Sequence, residues 1–330
     1  MKFEVLQLSK ILIPEVLDHL NALFTVHRLY EQEDPQAFLK EVGPRISAVI
    51  TGGHTGITNE VFDALPNLKL ITVNGVGTDA IDLNHVRQRG NVYVAATIGA
   101  LTEDVADLAV GLLIDVCRRI SYGDKFVKQG LWPKSENTLA PYPLNRQVSG
   151  LKVGIVGLGR VGRAVATRLD AFGCPIQYTD IVQIPDVKYE YVDQLVDLAK
   201  QSEVLIVAAA ADKDQGIINA QVLEALGPEG YLINIARGKL VNEDDLVAAL
   251  EQGKIAGAGL DVFVNEPHVP EFLLNADNVV LLPHRASATV QTRTKMGMMV
   301  VDSLIAVLQQ GQQPEGCVLK IQQQESAVGV

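Results

Sequence analysis

Three side chains suited to acid–base and carboxylate chemistry each follow an apolar run in the second half of the chain: Arg237, Glu266 and His284. A histidine can transfer a proton near neutral pH, and a carboxylate can hold the imidazole in one tautomer. A planar guanidinium can bind the carboxylate of a substrate. Each residue alone also has a structural explanation, because most single histidines are structural and many arginines form surface ion pairs. Together they predict a proton-transfer site for a substrate that carries a carboxylate.

A glycine-rich turn earlier in the chain predicts a second kind of site. The apolar run 151–156 is followed by Gly157, Gly159 and Gly162, and a helical pattern then begins. In a strand–turn–helix context this spacing is the fingerprint of dinucleotide binding. The first glycine permits the tight turn, the second lets the backbone approach a pyrophosphate, and the third lets the helix pack on the strand. The free N–H groups of the helix N-terminus then face the phosphates.

An acidic residue at the end of the next predicted strand bears on the choice of dinucleotide. Asp180 lies 18 residues after Gly162, near the position where a carboxylate binds the adenosine ribose. Such a carboxylate would repel a 2′-phosphate, and Ile181 and Val182 follow it instead of an arginine. The sequence therefore favours NAD(H) over NADP(H).

The second half of the chain alternates strands with helices, which predicts a doubly wound α/β sheet. Parallel strands bring their carboxyl ends to one edge, where ligands bind. Arg237, Glu266 and His284 are therefore expected along that edge. The predicted strands are 151–156, 175–180, 204–209, 231–235, 256–261 and 279–282.

The first hundred residues predict another mostly parallel sheet. Two glycine-rich loops, 52–56 and 75–77, follow two of its strands. They are either ordinary turns or an anion nest whose backbone N–H groups bind a carboxylate. The predicted strands are 3–8, 24–29, 46–51, 68–73 and 92–95.

A long helix that starts at Thr102 is apolar on nearly all sides. It is either a core helix or packs against a second subunit, and we favour the dimer. Trp132, the single tryptophan, follows this region and is either a packing anchor or part of a site.

Composition narrows the possible functions. With 330 residues and 48% hydrophobic content, the chain is expected to form about two domains. The net charge of −11, without a basic stripe, argues against nucleic acid as a partner. The cysteines Cys117, Cys174 and Cys317 lack metal-ligand spacing, and no metal is expected. Neither a membrane segment nor a secretory leader is recognisable, so we expect a cytoplasmic protein.

Three longer motifs resemble a known family. The segments INIARGKLVNE (233–243), GLDVFVNEP (259–267) and PHRASAT (283–289) resemble the signatures of the D-isomer-specific 2-hydroxyacid dehydrogenases. Spacings of 29 residues from Arg237 to Glu266 and of 18 from Glu266 to His284 are similar to those of the glyoxylate/hydroxypyruvate and hydroxyphenylpyruvate reductases.

This resemblance implies a fold and an activity. A Rossmann NAD-binding domain, 100–287, would be inserted into a flavodoxin-like substrate domain made of 1–99 and 288–330. The enzyme would reduce a short 2-oxo acid of the glyoxylate, hydroxypyruvate or 2-ketogluconate type to the D-2-hydroxy acid with NAD(P)H. The expected assembly is a homodimer that meets along the helix from Thr102.

The resemblance also assigns roles to residues. Arg237 would orient the 2-oxo acid, His284 would be the general acid and Glu266 its partner. Trp132 would reach the neighbouring subunit's site. The predicted cofactor site comprises Thr102, Gly157, Leu158, Gly159, Arg160, Val161, Gly162, Asp180, Ala209, Ile235, Ala236, Asp261 and Ser287, the last two near the nicotinamide. The predicted substrate site comprises Gly53, His54, Val76, Gly77, Trp132, Arg237 and His284, with Val76 and Gly77 binding the carboxylate through N–H groups.

Two departures from the family pattern qualify these expectations. NADP-using reductases of the subgroup usually carry Ser-Arg where this chain has Asp180 and Ile181, and the segment 208–215 lacks the usual proline and threonine. An alternative is a dinucleotide-sensing binding protein, like the corepressor branch of the family.

Overall fold

The computed structural model describes residues 2–132, 142–210 and 216–321. The chain divides into two compact units, one formed by Met1–Leu101 with Ala288–Val330 and the other by Thr102–Ser287. The strands are β1 Glu4–Gln7, β2 Thr25–Arg28, β3 Ile46–Thr51, β4 Leu70–Val73, β5 Tyr93–Ala96, β6 Val153–Val156, β7 Ile176–Thr179, β8 Glu190–Tyr191, β9 Val204–Val207, β10 Tyr231–Asn234, β11 Gly257–Leu260, β12 Val279–Leu281 and β13 Cys317–Leu319. The α-helices are α1 Pro14–Leu23, α2 Pro35–Val42, α3 Asn59–Asp63, α4 Leu83–Arg89, α5 Thr102–Arg118, α6 Ile120–Lys128, α7 Arg160–Asp170, α8 Leu195–Gln201, α9 Ala220–Leu226, α10 Glu243–Glu251, α11 Glu271–Asn275 and α12 Val290–Leu304.

The first unit is built on a six-stranded sheet in the order β13-β5-β4-β3-β1-β2. Strands β1 to β5 are parallel, and β13 pairs antiparallel with β5. Without β13 the order is that of flavodoxin-like sheets. Alternate residues of β3 face opposite cores, because Ala48 and Ile50 pack with α1 and α12 whereas Val49 packs with α2 and α3.

The second unit is built on a fully parallel seven-stranded sheet in the order β12-β11-β10-β9-β6-β7-β8. Its reversal next to β6, with β7 on one side and β9 on the other, is the Rossmann switch point. The two doubly wound α/β sheets confirm the predicted fold class. The observed strands mostly lie within the predicted runs, but β8 and β13 were not predicted.

Helix α5 packs on β10, β11 and α7 within the second unit. Small residues in β11 permit the close approach, because a Cβ added at Gly257 or Gly259 would lie 3.1 Å from Val116 Cγ2 or Leu112 Cβ, respectively. Eight residues of α5 are buried: Val105, Ala106, Ala109, Val110, Leu112, Leu113, Val116 and Cys117. The chain itself thus covers most of the apolar surface of α5, and contact with a second subunit stays a prediction.

No helix in the described parts of the chain is both long enough and apolar enough to cross a membrane.

Candidate active site

The glycine-rich turn joins β6 to α7 with the geometry that the fingerprint requires. Gly157 has a φ of +90°, and a Cβ there would lie 2.5 Å from Ala209 Cα. A Cβ on Gly162 would lie 2.1 Å from the carbonyl oxygen of Gly157. In contrast, Gly159 caps α7 and is exposed, and an added Cβ there would meet no atom within 4 Å. The turn is therefore closed on the protein side and open at Gly159, which fits the pyrophosphate of a dinucleotide.

Asp180, directly after β7, is tied to this turn. Its Oδ2 accepts a 2.8 Å hydrogen bond from the N–H of Leu158, and its Oδ1 accepts one of 2.8 Å from the N–H of Ile181. Each carboxylate oxygen has a further lone pair, so the group can still accept hydrogen bonds from a ribose. The side chains of Ile181 and Val182 are exposed beside it. The spacing of the residues did not predict this hydrogen bond between Asp180 and the turn at Leu158.

Most of the remaining residues of the predicted cofactor site lie near strand ends or helix starts of the second unit. Thr102 is the first residue of α5, and Arg160 and Val161 begin α7. Ala209 and Ser287 are partly buried, whereas Ile235 and Ala236, just after β10, are buried. Most of the segment that departs from the family pattern, 211–215, lies outside the described residues.

Arg237 sits on a turn that a buried asparagine shapes. Asn234, at the end of β10 and 1% exposed, donates from Nδ2 to the carbonyl of Arg237 at 3.0 Å. Its Oδ1 accepts the N–H of Ala236 at 3.1 Å. The guanidinium of Arg237 in turn donates to the carbonyl of Ala236 at 2.7 Å. Sequence reasoning missed Asn234, although a polar residue at the end of a buried strand, three residues before Arg237, was a usable signal.

Glu266 and His284 form a direct pair. Nδ1 of His284 lies 2.9 Å from Oε2 and 3.2 Å from Oε1 of Glu266. The N–H of Phe263 donates to Oε1 at 3.0 Å, which fixes the carboxylate from its other side. A carboxylate acceptor at Nδ1 selects the imidazole tautomer that carries a proton on Nδ1.

Asp261, predicted near the nicotinamide, is wholly buried directly after β11. Its Oδ1 accepts the N–H of Arg285 at 2.7 Å, and its Oδ2 accepts the N–H of Ala286 at 2.8 Å. Burial raises the pKa of the Asp261 carboxyl above its ordinary value, and these two N–H groups oppose that shift. Its carbonyl accepts the N–H of His284, whose φ is +53°. Asp261 therefore shapes the turn that carries His284.

The two glycine-rich loops of the first unit lie side by side. A Cβ on Gly53 would be 3.1 Å from the carbonyl oxygen of Gly77, and the N–H of Asn74 donates to Thr51 at 2.7 Å. His54 is exposed. Val76 is exposed too. The structure thus brings the predicted carboxylate-binding loops together within this unit. In the second unit, Trp132 is 54% exposed, and the segment 133–141 that follows it lies outside the described residues.

Comparison with known proteins identifies relatives of the whole chain. Residues 110–286 match the profile of the D-isomer-specific 2-hydroxyacid dehydrogenase NAD-binding domain. The 2-ketogluconate reductase of Gluconobacter oxydans is 44% identical over 296 residues, which cover 89% of this chain and 92% of that protein. The hydroxyphenylpyruvate reductase of Plectranthus scutellarioides is 44% identical over 87% of this chain and 90% of its own.

Solved structures agree in fold. A 2-hydroxyacid dehydrogenase from Ketogulonicigenium vulgare, 40% identical, superposes with a TM-score of 0.90 over 98% of this chain and all of its own. An NADPH-dependent glyoxylate/hydroxypyruvate reductase from Sinorhizobium meliloti, in complex with NADP and malonate, is 38% identical. It has a TM-score of 0.87 and covers 96% of this chain and 97% of its own.

Proposed function

Because the chain belongs to the D-isomer-specific 2-hydroxyacid dehydrogenase family, an enzyme family, we propose that it reduces a short 2-oxo acid to the D-2-hydroxy acid. The observation that carries this proposal is the Glu266–His284 pair, with Nδ1 to Oε2 at 2.9 Å, on the same sheet edge as Arg237. Candidate substrates are glyoxylate, hydroxypyruvate and 2-ketogluconate, because related reductases carry these names.

Arg237 and His284 have different proposed roles in the reduction. Arg237 binds the substrate's carboxylate and carbonyl oxygen through its planar guanidinium. His284, held by Glu266, donates a proton from Nε2 to the carbonyl oxygen as the alkoxide charge develops. When bound, a reduced nicotinamide supplies the hydride for the 2-oxo carbon.

The fingerprint turn is the proposed binding site for the dinucleotide. The first N–H groups of α7 and the open face of Gly159 bind the pyrophosphate, and Asp180 binds the adenosine ribose. The proposed cofactor is NADH, since the Asp180 carboxylate repels a 2′-phosphate. The Sinorhizobium meliloti relative is described as NADPH-dependent, so the preference of this chain needs a direct comparison of both cofactors.

Within the first unit, the paired loops are proposed to bind the substrate. The N–H groups of Val76 and Gly77 are the proposed donors to the substrate's carboxylate, and Gly53 and His54 contribute from the adjacent loop. Their contact within the unit, at Gly53 and Gly77, supports this assignment.

The decisive experiment measures oxidation of NADH and NADPH with glyoxylate, hydroxypyruvate and 2-ketogluconate. Saturable turnover with at least one acid is expected, and we expect kcat/KM to be higher with NADH. His284→Ala should lower kcat by roughly 100-fold to 10,000-fold, the usual size of general acid catalysis. His19→Ala, which removes an exposed histidine of α1, is the matched control and should keep wild-type rates.

Absence of turnover, with dinucleotide binding retained, would instead favour the dinucleotide-sensing alternative. The curated relatives named above are reductases, which supports the enzymatic proposal. Unchanged rates in His284→Ala would remove this residue from the mechanism.

A homodimer is the proposed assembly. Next to α5, the side chains of Ile120, Val127, Leu131 and Trp132 are 53%, 52%, 39% and 54% exposed. Exposed apolar side chains that lie close together along the chain are typical of a protein contact, and Trp132 among them fits the proposed reach toward a neighbouring site. Sedimentation should give twice the chain mass, and Val127→Glu should weaken the dimer, whereas Leu12→Glu, at a still more exposed apolar position in the first unit, should not.

The proposed location is the cytoplasm. The structure leaves Cys117, Cys174 and Cys317 as free thiols, as is usual in a reducing compartment.

A further inference from the structure

Glu243 holds the loop that leads to Glu266. It is the first residue of α10, directly after the helix cap Asn242. Its Oε1 accepts a 3.2 Å hydrogen bond from the N–H of Val264, in the loop between Asp261 and Glu266. The motif that contains Arg237 ends at this glutamate, and the proposed mechanism gives it no task.

Two neighbouring N–H groups of this loop donate to two different carboxylates. The N–H of Phe263 donates to Oε1 of Glu266 at 3.0 Å, and the next N–H, of Val264, donates to Glu243. One peptide unit therefore separates the contact of Glu243 from the contact that orients the partner of His284. A movement of this peptide would displace the Glu266 carboxylate as well.

The same peptide also lies close to Gly238. A Cβ added there would lie 1.9 Å from the carbonyl carbon of Phe263 and 2.4 Å from the nitrogen of Val264. Because Gly238 follows Arg237, the turn that bears the guanidinium also limits the position of the loop. The N–H of Val264 donates to Glu243, and this hydrogen bond opposes movement of Val264 away from Gly238.

We propose that Glu243 is a positioning residue that keeps Glu266 aligned with His284 through the peptide between Phe263 and Val264. This inference rests on the proposed reductase activity. Because Glu243 accepts the main-chain N–H of Val264, its effect is expected on kcat, since a misaligned proton donor slows the reaction without weakening substrate binding.

A structural role of Glu243 as a helix-capping charge is the competing explanation, and the chain offers a matched control for it. Asp244 is the next acidic residue of the first turn of α10 and is exposed. Asp244→Ala removes a comparable charge from the helix N-terminus without touching Val264. A helix-capping effect would therefore appear in both variants, whereas positioning would appear only in Glu243→Ala.

The kinetic test uses Glu243→Ala, Glu243→Gln and Asp244→Ala in the full-length protein. We expect Glu243→Ala to lower kcat by roughly 10-fold to 100-fold with KM changed less than about twofold. Glu243→Gln should recover most of the rate, because its amide oxygen still accepts the N–H of Val264. In the Glu266→Ala background, Glu243→Ala should lower kcat little further, since both substitutions act through the carboxylate of Glu266.

Amide hydrogen exchange supplies a readout that does not depend on turnover. In Glu243→Ala, exchange should become at least about tenfold faster at Val264 and also at Phe263, whose N–H bonds only to Glu266 in this network. Three results would overturn the proposal. Exchange could become faster at Val264 alone, the losses of kcat in Glu243→Ala and Glu266→Ala could be additive, or Asp244→Ala could lower kcat as much as Glu243→Ala does. If the wild type turns over no 2-oxo acid, the proposed function fails, and the exchange at Phe263 still decides whether Glu243 positions Glu266.

Discussion

The carboxylate of Asp261 accepts the main-chain N–H of Arg285 at 2.7 Å, one residue beyond His284. A second bond, from the N–H of Ala286, occupies its other oxygen. A wholly buried carboxylate is costly, and here the cost is offset by two charge-assisted hydrogen bonds that shape one turn. That turn holds His284 at a positive φ, which few non-glycine residues adopt without support.

Replacing Asp261 with asparagine should therefore damage both stability and catalysis. The amide oxygen can accept one N–H, but the amide nitrogen would face the other as a second donor. We expect a loss of about 2 kcal/mol in the free energy of unfolding and a fall in kcat of at least roughly tenfold. Urea unfolding and steady-state kinetics measure the two effects. Asp277→Asn, at an exposed position before β12, is the control, and a similar loss there would contradict the assignment.

Substitutions of two fingerprint glycines should affect different properties: Gly162→Ala the stability of the fold, and Gly159→Ala the binding of the dinucleotide. Gly162→Ala places a Cβ 2.1 Å from the carbonyl oxygen of Gly157, so we expect a loss of about 2 to 4 kcal/mol in the free energy of unfolding. Gly159→Ala meets no protein atom within 4 Å and should leave unfolding nearly unchanged. It should nevertheless weaken dinucleotide binding at least roughly tenfold, because the methyl group enters the proposed pyrophosphate site. Equal stability losses in the two variants would be the contrary result.

The sequence was sufficient to predict which residues gather on one edge of the second sheet. Consecutive strands of a βαβ pattern precede Arg237, Glu266 and His284. Parallel pairing brings the ends of such strands to one edge of the sheet, whatever the conformation of the loops. The pairing of Glu266 with His284 was predictable for this reason. The glycine fingerprint was equally clear, since its three positions are set by local backbone geometry.

Other features depend on contacts that have no periodic signal. Asp261 resembles a ligand-binding residue in sequence, and only the fold shows that both of its oxygens accept N–H groups of the 285–286 turn. Strand β8 has two residues, and β13 joins its sheet antiparallel from a distant part of the chain. Neither has the alternation or length that distinguishes a strand. For helix α5, the sequence cannot tell whether its own chain or a second subunit buries an apolar face, so the dimer contact stays a prediction.

Asp180 is expected to control cofactor choice and to stabilise the turn at the same time. Asp180→Ser removes the negative charge, so the ratio of kcat/KM with NADPH to that with NADH should rise roughly 10-fold to 100-fold. The variant also loses an acceptor for the N–H of Leu158 or Ile181, which should cost about 1 to 2 kcal/mol of unfolding free energy. Asp180→Asn retains one acceptor and should lose less stability. An unchanged cofactor ratio in both variants would exclude Asp180 as the selective residue.

An ion pair in the first unit should make stability depend on acid pH. Partial burial acts to raise the pKa of Glu4, but hydrogen bonds with Arg45 at 3.0 Å and His27 at 2.7 Å outweigh it and hold the pKa below its ordinary value. A carboxyl with a lowered folded-state pKa stabilises the protein above its unfolded-state pKa, and this contribution disappears as the pH falls through the folded-state value. Glu4→Gln should therefore lower the free energy of unfolding by about 1 kcal/mol near neutral pH. Once the wild-type carboxyl is protonated, the substitution should have no effect on it.

Urea unfolding of the wild type and Glu4→Gln at a series of pH values measures this difference. Glu60→Gln, at an exposed position in α3, is the control and should show no such trend. The two curves for the wild type and Glu4→Gln should converge only on the acid side, because the stabilisation requires the charged carboxylate that Arg45 binds. A difference in the free energy of unfolding that stays constant from neutral to acid pH would mean that Glu4 acts through packing and not through its charge.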